Sequence, residues 1–185
     1  MSRITSGSAK NTKLLVASGI TRPITDRIKI SLFDTLTPVL KDSYCLDLYA
    51  GSGAIGLEAL SRGAKHTTFV ENDPEASSLI SKNSIRAQLS HKVDIHQTTV
   101  EDYLENTTFD FDLIFLDPPF PQAREDKYKI LLACIELMKD ESYIVYRYPK
   151  GEIYPEELMK NKKTAQEVWK KKYGLSVISI FHRNN

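Results

Sequence analysis

Long apolar runs are missing from this 185-residue chain, so no stretch reaches the length that a membrane span needs. Cysteine is scarce. Cys45 and Cys134 are the only two, too few for a disulfide framework, and both are expected to be buried free thiols of a reducing cytosol. The four histidines (66, 91, 96 and 182) lack metal-ligand spacing, so no metal is expected. No nucleophile elbow and no phosphate-binding Gly-Lys-Ser/Thr loop occurs. Excess charge is absent too: the net value is +1, so any nucleic-acid partner must be held by a local patch rather than by an overall basic field. The start, M-S-R-I-T-S-G-S-A-K, has no apolar signal core, which makes the cytoplasm the expected location. The 41% hydrophobic and 26% charged content is ordinary for a globular chain of this length, organised as one domain with a small terminal extension.

The stretch Leu46 to Gly56 reads L-D-L-Y-A-G-S-G-A-I-G. A short apolar run enters a glycine turn and leaves as a helix-like pattern, which reads as buried strand, tight turn and helix N-terminus. Glycine lets the backbone approach a ligand, and the helix start offers unpaired N–H groups. Gly51-x-Gly53-x-x-Gly56 matches the dinucleotide fingerprint, and Glu71 lies 20 residues after Gly51, placed to accept from ribose hydroxyls. Two ligand classes fit, a dinucleotide and S-adenosylmethionine. Asp47 tilts the choice, because a carboxylate repels a pyrophosphate and suits sulfonium and ammonium groups.

Around this stretch, strands and helices alternate. Strands are expected near 44–49, 66–71, 93–97, 111–116 and 143–148, with helices over 54–62, 74–88, 100–105 and 128–138. Ahead of them a helix is capped by Thr25 or Asp26 and ends at Pro38. A short helix is placed near 155–161, and Tyr173-Gly174 joins strands at about 165–172 and 175–182 as a hairpin. Such alternation predicts a mostly parallel sheet covered on both faces, with ligands beyond the carboxyl ends of its strands. The glycine turn, Glu71 and the loop Asp117-Pro118-Pro119-Phe120 would all gather there. The two prolines stiffen that loop. The Asp117 carboxylate and the Pro118 carbonyl can then accept both hydrogens of a planar exocyclic amine and localise its lone pair for attack on a methyl group. Phe120 offers a stacking face, and Asp117 can take the released proton. Thr99 and Val100, after the third core strand, are candidates for an adenine ring. Arg3, Lys10, Lys13, Arg22, Arg27 and Lys29 form a candidate phosphate-binding patch, whereas the lysines at 160, 162, 163, 170, 171 and 172 read as a solvated face.

With these residues in hand, the chain resembles the RsmD family of ribosomal RNA methyltransferases. The resemblance runs through R-P-I-T-D-R-I-K-I-S-L-F-D-T-L at 22–36, C-L-D-L-Y-A-G-S-G-A-I-G-L-E-A-L-S-R-G-A at 45–64, F-V-E-N-D at 69–73 and L-I-F-L-D-P-P-F at 113–120. It implies an α/β, Rossmann-like class I S-adenosylmethionine-dependent methyltransferase fold. The sheet would be seven-stranded and mostly parallel, with an antiparallel C-terminal hairpin. Residues 1–21 would be an RNA-contacting hairpin extension and residues 22–185 the methyltransferase domain. It implies methylation of a guanine exocyclic amino group in 16S rRNA, of the guanine-966 N2 type. The substrate would be 16S rRNA or the assembling small ribosomal subunit, met by a monomer. Asp47, Tyr49, Ala50, Gly51, Ser52, Gly53, Glu71, Asn72, Thr99, Val100 and Asp117 would surround S-adenosylmethionine. Asp117, Pro118, Pro119 and Phe120 would hold and activate the guanine, and Arg3, Lys10, Lys13, Arg22 and Arg27 would meet the RNA. Two departures from the family pattern stand out. The segment S-G-S-A-K-N-T-K-L has fewer basic residues and lacks a second glycine and an aromatic. After the fifth core strand, where the family carries an acidic residue, this chain has Tyr146-Arg147-Tyr148. Other readings remain: methylation of DNA adenine or of a protein amide, a dinucleotide-dependent dehydrogenase, and a catalytically silent RNA-binding scaffold.

Overall fold

The computed structural model describes residues 2–16, 24–152 and 165–184. Its centre is a seven-stranded sheet in the order β5-β4-β3-β6-β7-β9-β8. The strands are β3 (Tyr44–Leu48), β4 (His66–Val70), β5 (Val93–His96), β6 (Phe111–Leu116), β7 (Met138–Pro149), β8 (Gln166–Tyr173) and β9 (Ser176–His182). Strands β3 to β7 pair in parallel, β9 runs antiparallel to β7, and β8 closes the edge against β9. This is the expected α/β architecture with its antiparallel C-terminal hairpin. A two-stranded ribbon of β1 (Ser2–Arg3) and β2 (Lys13–Leu14) precedes it.

Side chains leave successive strand residues on opposite faces, and the two cores follow that alternation. Cys45, Phe69, Leu113, Phe115, Val145, Ile178 and Ile180 face helices α1 (Asp26–Leu40), α2 (Ala54–Ser61) and α3 (Pro74–Arg86). Leu46, Leu48, Val70, Ile114, Leu116, Ile144 and Tyr146 face α4 (Val100–Asn106) and α5 (Arg124–Glu136). Both cysteines are buried and unbridged. No described helix is long and apolar enough to cross a membrane.

Local chemistry sets the element ends. Thr25 caps α1, its hydroxyl accepting from the Ile28 N–H, and Asp73 caps α3 through the Ala76 N–H with Pro74 in the first turn. Pro38 does not end α1: the helix carries it and runs on to Leu40, because Leu36 and Leu40 are both buried in the core. Helix α5 starts at Arg124 rather than near Tyr128, with Glu125 and Asp126 favourably placed in its first turn. Strand β7 begins at Met138, not Tyr143; a register irregularity between Phe111 and Leu113 separates its two halves. The helix expected near 155–161, and Arg22, lie outside the described residues.

The segment ahead of α1 is packed against the domain. Ile4 and Leu14 are in the core. Glu58, fully buried on α2, accepts from the Thr5 N–H (2.8 Å), the Thr5 hydroxyl (2.6 Å) and the Ser6 N–H (3.1 Å). Gly7 sits at φ +84° so close to α2 that a Cβ there would stand 1.7 Å from the Ser61 carbonyl oxygen. Lys29, expected on the surface, is instead fully buried, with its ammonium 3.8 Å from Glu58 and 3.5 Å from Asp26 and donating to the Arg3 carbonyl. An amphipathic reading of α1 misses it because a lysine is buried only when partners from elsewhere satisfy it.

Candidate active site

Three strand tips meet at one rim. Register places Asp47 beside Phe69 and Phe115, so the residues after β3, β4 and β6 emerge side by side. Tyr49 leaves β3 with φ +59°, a left-handed conformation uncommon outside glycine, and the turn continues through Gly51 (φ +55°) and Gly53 (φ +78°). Gly53 is the N-cap of α2 and makes no side-chain bond. The helix therefore begins with its N–H groups facing the rim. Gly56 lies against β4: a Cβ there would come within 2.4 Å of the Phe69 ring, the close helix-to-strand approach that the third fingerprint glycine permits.

The carboxylates surround this turn. Glu71 Oε2 accepts from the Gly51 N–H at 2.7 Å and Oε1 from the Asp73 N–H at 2.9 Å. Each oxygen keeps a lone pair that a ribose hydroxyl can use. Asp47, 1% exposed, accepts from the Gly56 N–H at 2.9 Å. Burial holds its carboxyl well above the usual range, only partly offset by that bond, while Asp117 and Glu71 push the same way. The Glu71 N–H bonds the His96 carbonyl, tying β4 to the end of β5. There Thr99 caps α4, accepting from the Asp102 N–H (3.1 Å) and donating to the Asp102 carboxylate (2.6 Å). Val100 is buried, and Asn72 is exposed at the rim.

The Asp117 loop follows β6 directly. Pro118 is buried, Pro119 is exposed and Phe120 is half-buried. Gln122 donates to the Tyr49 hydroxyl at 3.1 Å, so the loop and the glycine turn are joined. Arg147, from the neighbouring β7, brings Nη1 to 3.1 and 3.0 Å of the two Asp117 oxygens. Burial raises the Asp117 carboxyl above its ordinary value, and Arg147 opposes that shift. Lys127 on α5 is fully buried, its ammonium 2.5 Å from Glu152 and 3.4 Å from the Phe120 carbonyl. Lys127 escaped the reading of the sequence as a site residue, whereas Arg147 stood out there as a departure after the fifth core strand, without the partner that it meets. A helical lysine flanked by Asp126 and Tyr128 gives no sign that it turns inward.

Of the basic residues expected to meet RNA, Lys10, Lys13 and Arg27 are exposed and Arg3 is ion-paired with Asp26 at 2.9 Å. Asn83 on α3 bonds the Leu15 backbone and the Ser52 carbonyl, connecting the N-terminal segment to the glycine turn. Among the described residues no group of His, Cys, Asp and Glu is arranged to hold a metal.

A parallel sheet in this order, a glycine turn entering a helix and an acidic residue at the next strand tip define a class I S-adenosylmethionine-dependent methyltransferase fold. Residues 2–182 match the family described as conserved hypothetical protein 95. The chain belongs to that family, the RsmD family. It is 36% identical over 173 residues to the Haemophilus influenzae ribosomal RNA small subunit methyltransferase D, covering 88% of this chain and 89% of that one. With the Escherichia coli K12 protein of the same name it is 35% identical over 144 residues, 77% of this chain and 69% of the other. The solved structure of yhhF from Escherichia coli superposes with a TM-score of 0.83 at 28% identity, over 98% of this chain and 97% of that one.

Proposed function

We propose that the protein transfers the methyl group of S-adenosylmethionine to the exocyclic amino group of a guanine in 16S rRNA. One observation carries this reading: the glycine turn and the Asp117 loop share a rim and are joined by the Tyr49–Gln122 bond. The names of the relatives, small-subunit rRNA methyltransferases, support the RNA class. The rim fits the cofactor, since Glu71 has oxygen lone pairs for the ribose and Asp47 lies behind the turn with a buried carboxyl whose ionised form a cationic group would favour. Residues Tyr49, Ala50, Ser52, Gly53 and Asn72 line its approach, and Thr99 and Val100 border the adenine side. Bound there, S-adenosylmethionine supplies an electrophilic methyl carbon.

The rest of the chemistry belongs to the chain. Asp117 and the Pro118 carbonyl accept the two amino hydrogens, which draws the nitrogen lone pair out of the ring system and toward the methyl carbon. Phe120 stacks on the base. As the new N–C bond forms, the electrons of the old C–S bond stay on sulfur, and the proton shed by nitrogen passes to Asp117 or to water. A stacked base cannot reach such a pocket, so the guanine enters from a loop or is swung out of its helix. Lys10, Lys13, Arg27, Arg22 and Arg3 bear on the flanking phosphates. The enzyme acts in the cytoplasm as a monomer, without a metal, on 16S rRNA or the assembling subunit.

Mapping methyl groups in 16S rRNA from a strain lacking the protein tests this: one guanine N2 methyl is lost and is restored by the wild-type gene. Restoration must fail with Asp117→Ala, while calorimetry shows nearly unchanged affinity for S-adenosylhomocysteine. An unaltered methyl pattern removes the proposed substrate, and equal loss of methylation and cofactor affinity makes Asp117 a structural carboxylate.

A further inference from the structure

Both surfaces assigned to the target base are already in use. Arg147 donates from Nη1 to each Asp117 oxygen, and its guanidinium carbon lies 4.9 Å from the centre of the Phe120 ring. One flat cation thus covers the acceptor and the stacking face together. The sheet builds this in: register pairs Leu116 with Tyr146, so the next residue of each parallel strand, Asp117 and Arg147, stand beside one another.

The hold is incomplete. An arginine built to grip a carboxylate permanently presents two nitrogens as a fork, whereas here a single nitrogen reaches both oxygens. The Nε of Arg147 is buried and has no partner among the described residues, a state that carries a desolvation penalty. The side chain is 17% exposed, which leaves it a way out toward solvent. The contact is therefore close enough to fill the site and poor enough to give way.

The chemistry of the occupant indicates what replaces it. In guanine, N1, N2 and N3 are all bonded to C2, so that edge of the base is itself a guanidine, planar and rich in N–H donors. Adenine has no such unit. We infer that Arg147 is a specificity-determining residue, an internal surrogate for the guanidine edge of guanine that occupies the Asp117–Phe120 site until the target base displaces it. The inference rests on the reading of this site as the guanine pocket. Adenine brings an exocyclic amine but no ring N–H beside it, so it offers Asp117 fewer donors than guanine does and displaces Arg147 less readily.

The test uses the protein loaded with S-adenosylhomocysteine and measures binding of guanosine 5′-monophosphate and adenosine 5′-monophosphate by NMR titration, in wild type, Arg147→Ala and Arg147→Lys. Removing the surrogate is expected to tighten guanosine monophosphate roughly tenfold, the scale of a partly desolvated cation–π contact plus a partly exposed ion pair. Adenosine monophosphate should change little. Arg147→Lys, which keeps the charge but cannot cover the ring, should fall between and guards against misfolding of the alanine variant. Guanosine monophosphate affinity that is unchanged, lowered or undetectable in both variants overturns the inference, as does an equal gain for adenosine monophosphate. Methylation of rRNA guanine by a protein whose nucleotide affinity ignores Arg147 would sink the surrogate and leave the methyl-transfer reading standing. An Arg147-dependent guanine site in a protein that methylates no rRNA would remove the rRNA substrate and keep the surrogate.

Discussion

Replacing Gly56 with alanine sets two opposed effects against each other, and the structure says which one wins. Gly56 lies inside α2, where alanine is favoured over glycine by about 1 kcal/mol. Against that gain, the added Cβ would lie 2.4 and 2.6 Å from two Phe69 ring carbons and 2.8 Å from Thr67 Cγ2. Phe69 and Thr67 are both fully buried, so neither can swing into solvent. Overpacking of this kind costs about 1–3 kcal/mol, and two ring contacts this short place it at the upper end. The net loss is about 2 kcal/mol. For a chain of 185 residues that lowers Tm by about 4–8 °C, at about 2–4 °C per kcal/mol. Displacement of α2 also moves the Gly56 N–H off Asp47, so affinity for S-adenosylhomocysteine should fall as well. Thermal unfolding followed by circular dichroism, with calorimetry of the cofactor product, reads both. The decisive comparison is Gly56→Ala in a Phe69→Leu background. Without the ring only the Thr67 contact remains, so the cost of the alanine should shrink, giving a coupling of at least about 1 kcal/mol between the sites. A raised Tm for Gly56→Ala alone, or strict additivity with Phe69→Leu, would refute the packing argument.

Three further outcomes follow from the geometry. Asp117 works as a carboxylate and burial raises its pKa, so kcat/KM should decline on acidification through a value above the ordinary carboxylate range. Arg147→Ala, which removes the opposing attraction, should move that limb to higher pH; a limb at the ordinary position contradicts the burial argument. Asp47 also titrates higher in the folded chain than in the unfolded one. Its ionisation therefore takes stability away as pH rises through the interval above about 4. The stability of Asp47→Asn relative to wild type should accordingly grow from about pH 4 to pH 7, while its preference for the cationic S-adenosylmethionine over the neutral thioether of S-adenosylhomocysteine shrinks. A pH-independent difference would mean that Asp47 is not the group responsible. Finally, Gly7→Ala cannot place its Cβ against the Ser61 carbonyl. Hydrogen exchange should show the Ser8 and Ala9 amides, bonded to Ser61 at 2.8 and 3.0 Å, losing protection while sheet amides keep theirs; unchanged protection would show that residues 2–16 do not depend on this contact.

The parts of the molecule that could be read from the sequence are those whose cause lies within a few residues. Thr25 and Asp73 cap helices through N–H groups three positions on. The apolar run Phe111–Leu116 is a strand with those same ends because both of its faces are buried under helices. The glycine turn and the Asp117 loop were legible for the same reason, each being a contiguous string with a chemical purpose. What stayed hidden depends on partners far away in the chain. Lys29 reads as a surface residue until Glu58 on another helix receives it, and Pro38 reads as a helix end until the core residues around it hold the last turn in place. Arg147 is the clearest case: the sequence marks it as a departure after the fifth core strand, but does not show that Asp117 is its partner. It is separated from Asp117 by 30 positions, and the irregularity between Phe111 and Leu113 means that counting from the start of β6 does not predict which β7 residue stands beside Asp117. A slip of one residue in that pairing would exchange the two faces of β7, turning Tyr146 away from the α5-side core and putting a tyrosine where the guanidinium now stands. The burial of Tyr146 and Tyr148, both within the α5-side core, thus fixes the register. The chemistry at Asp117 is in this way set by packing on the far side of the sheet, which no motif in the chain records.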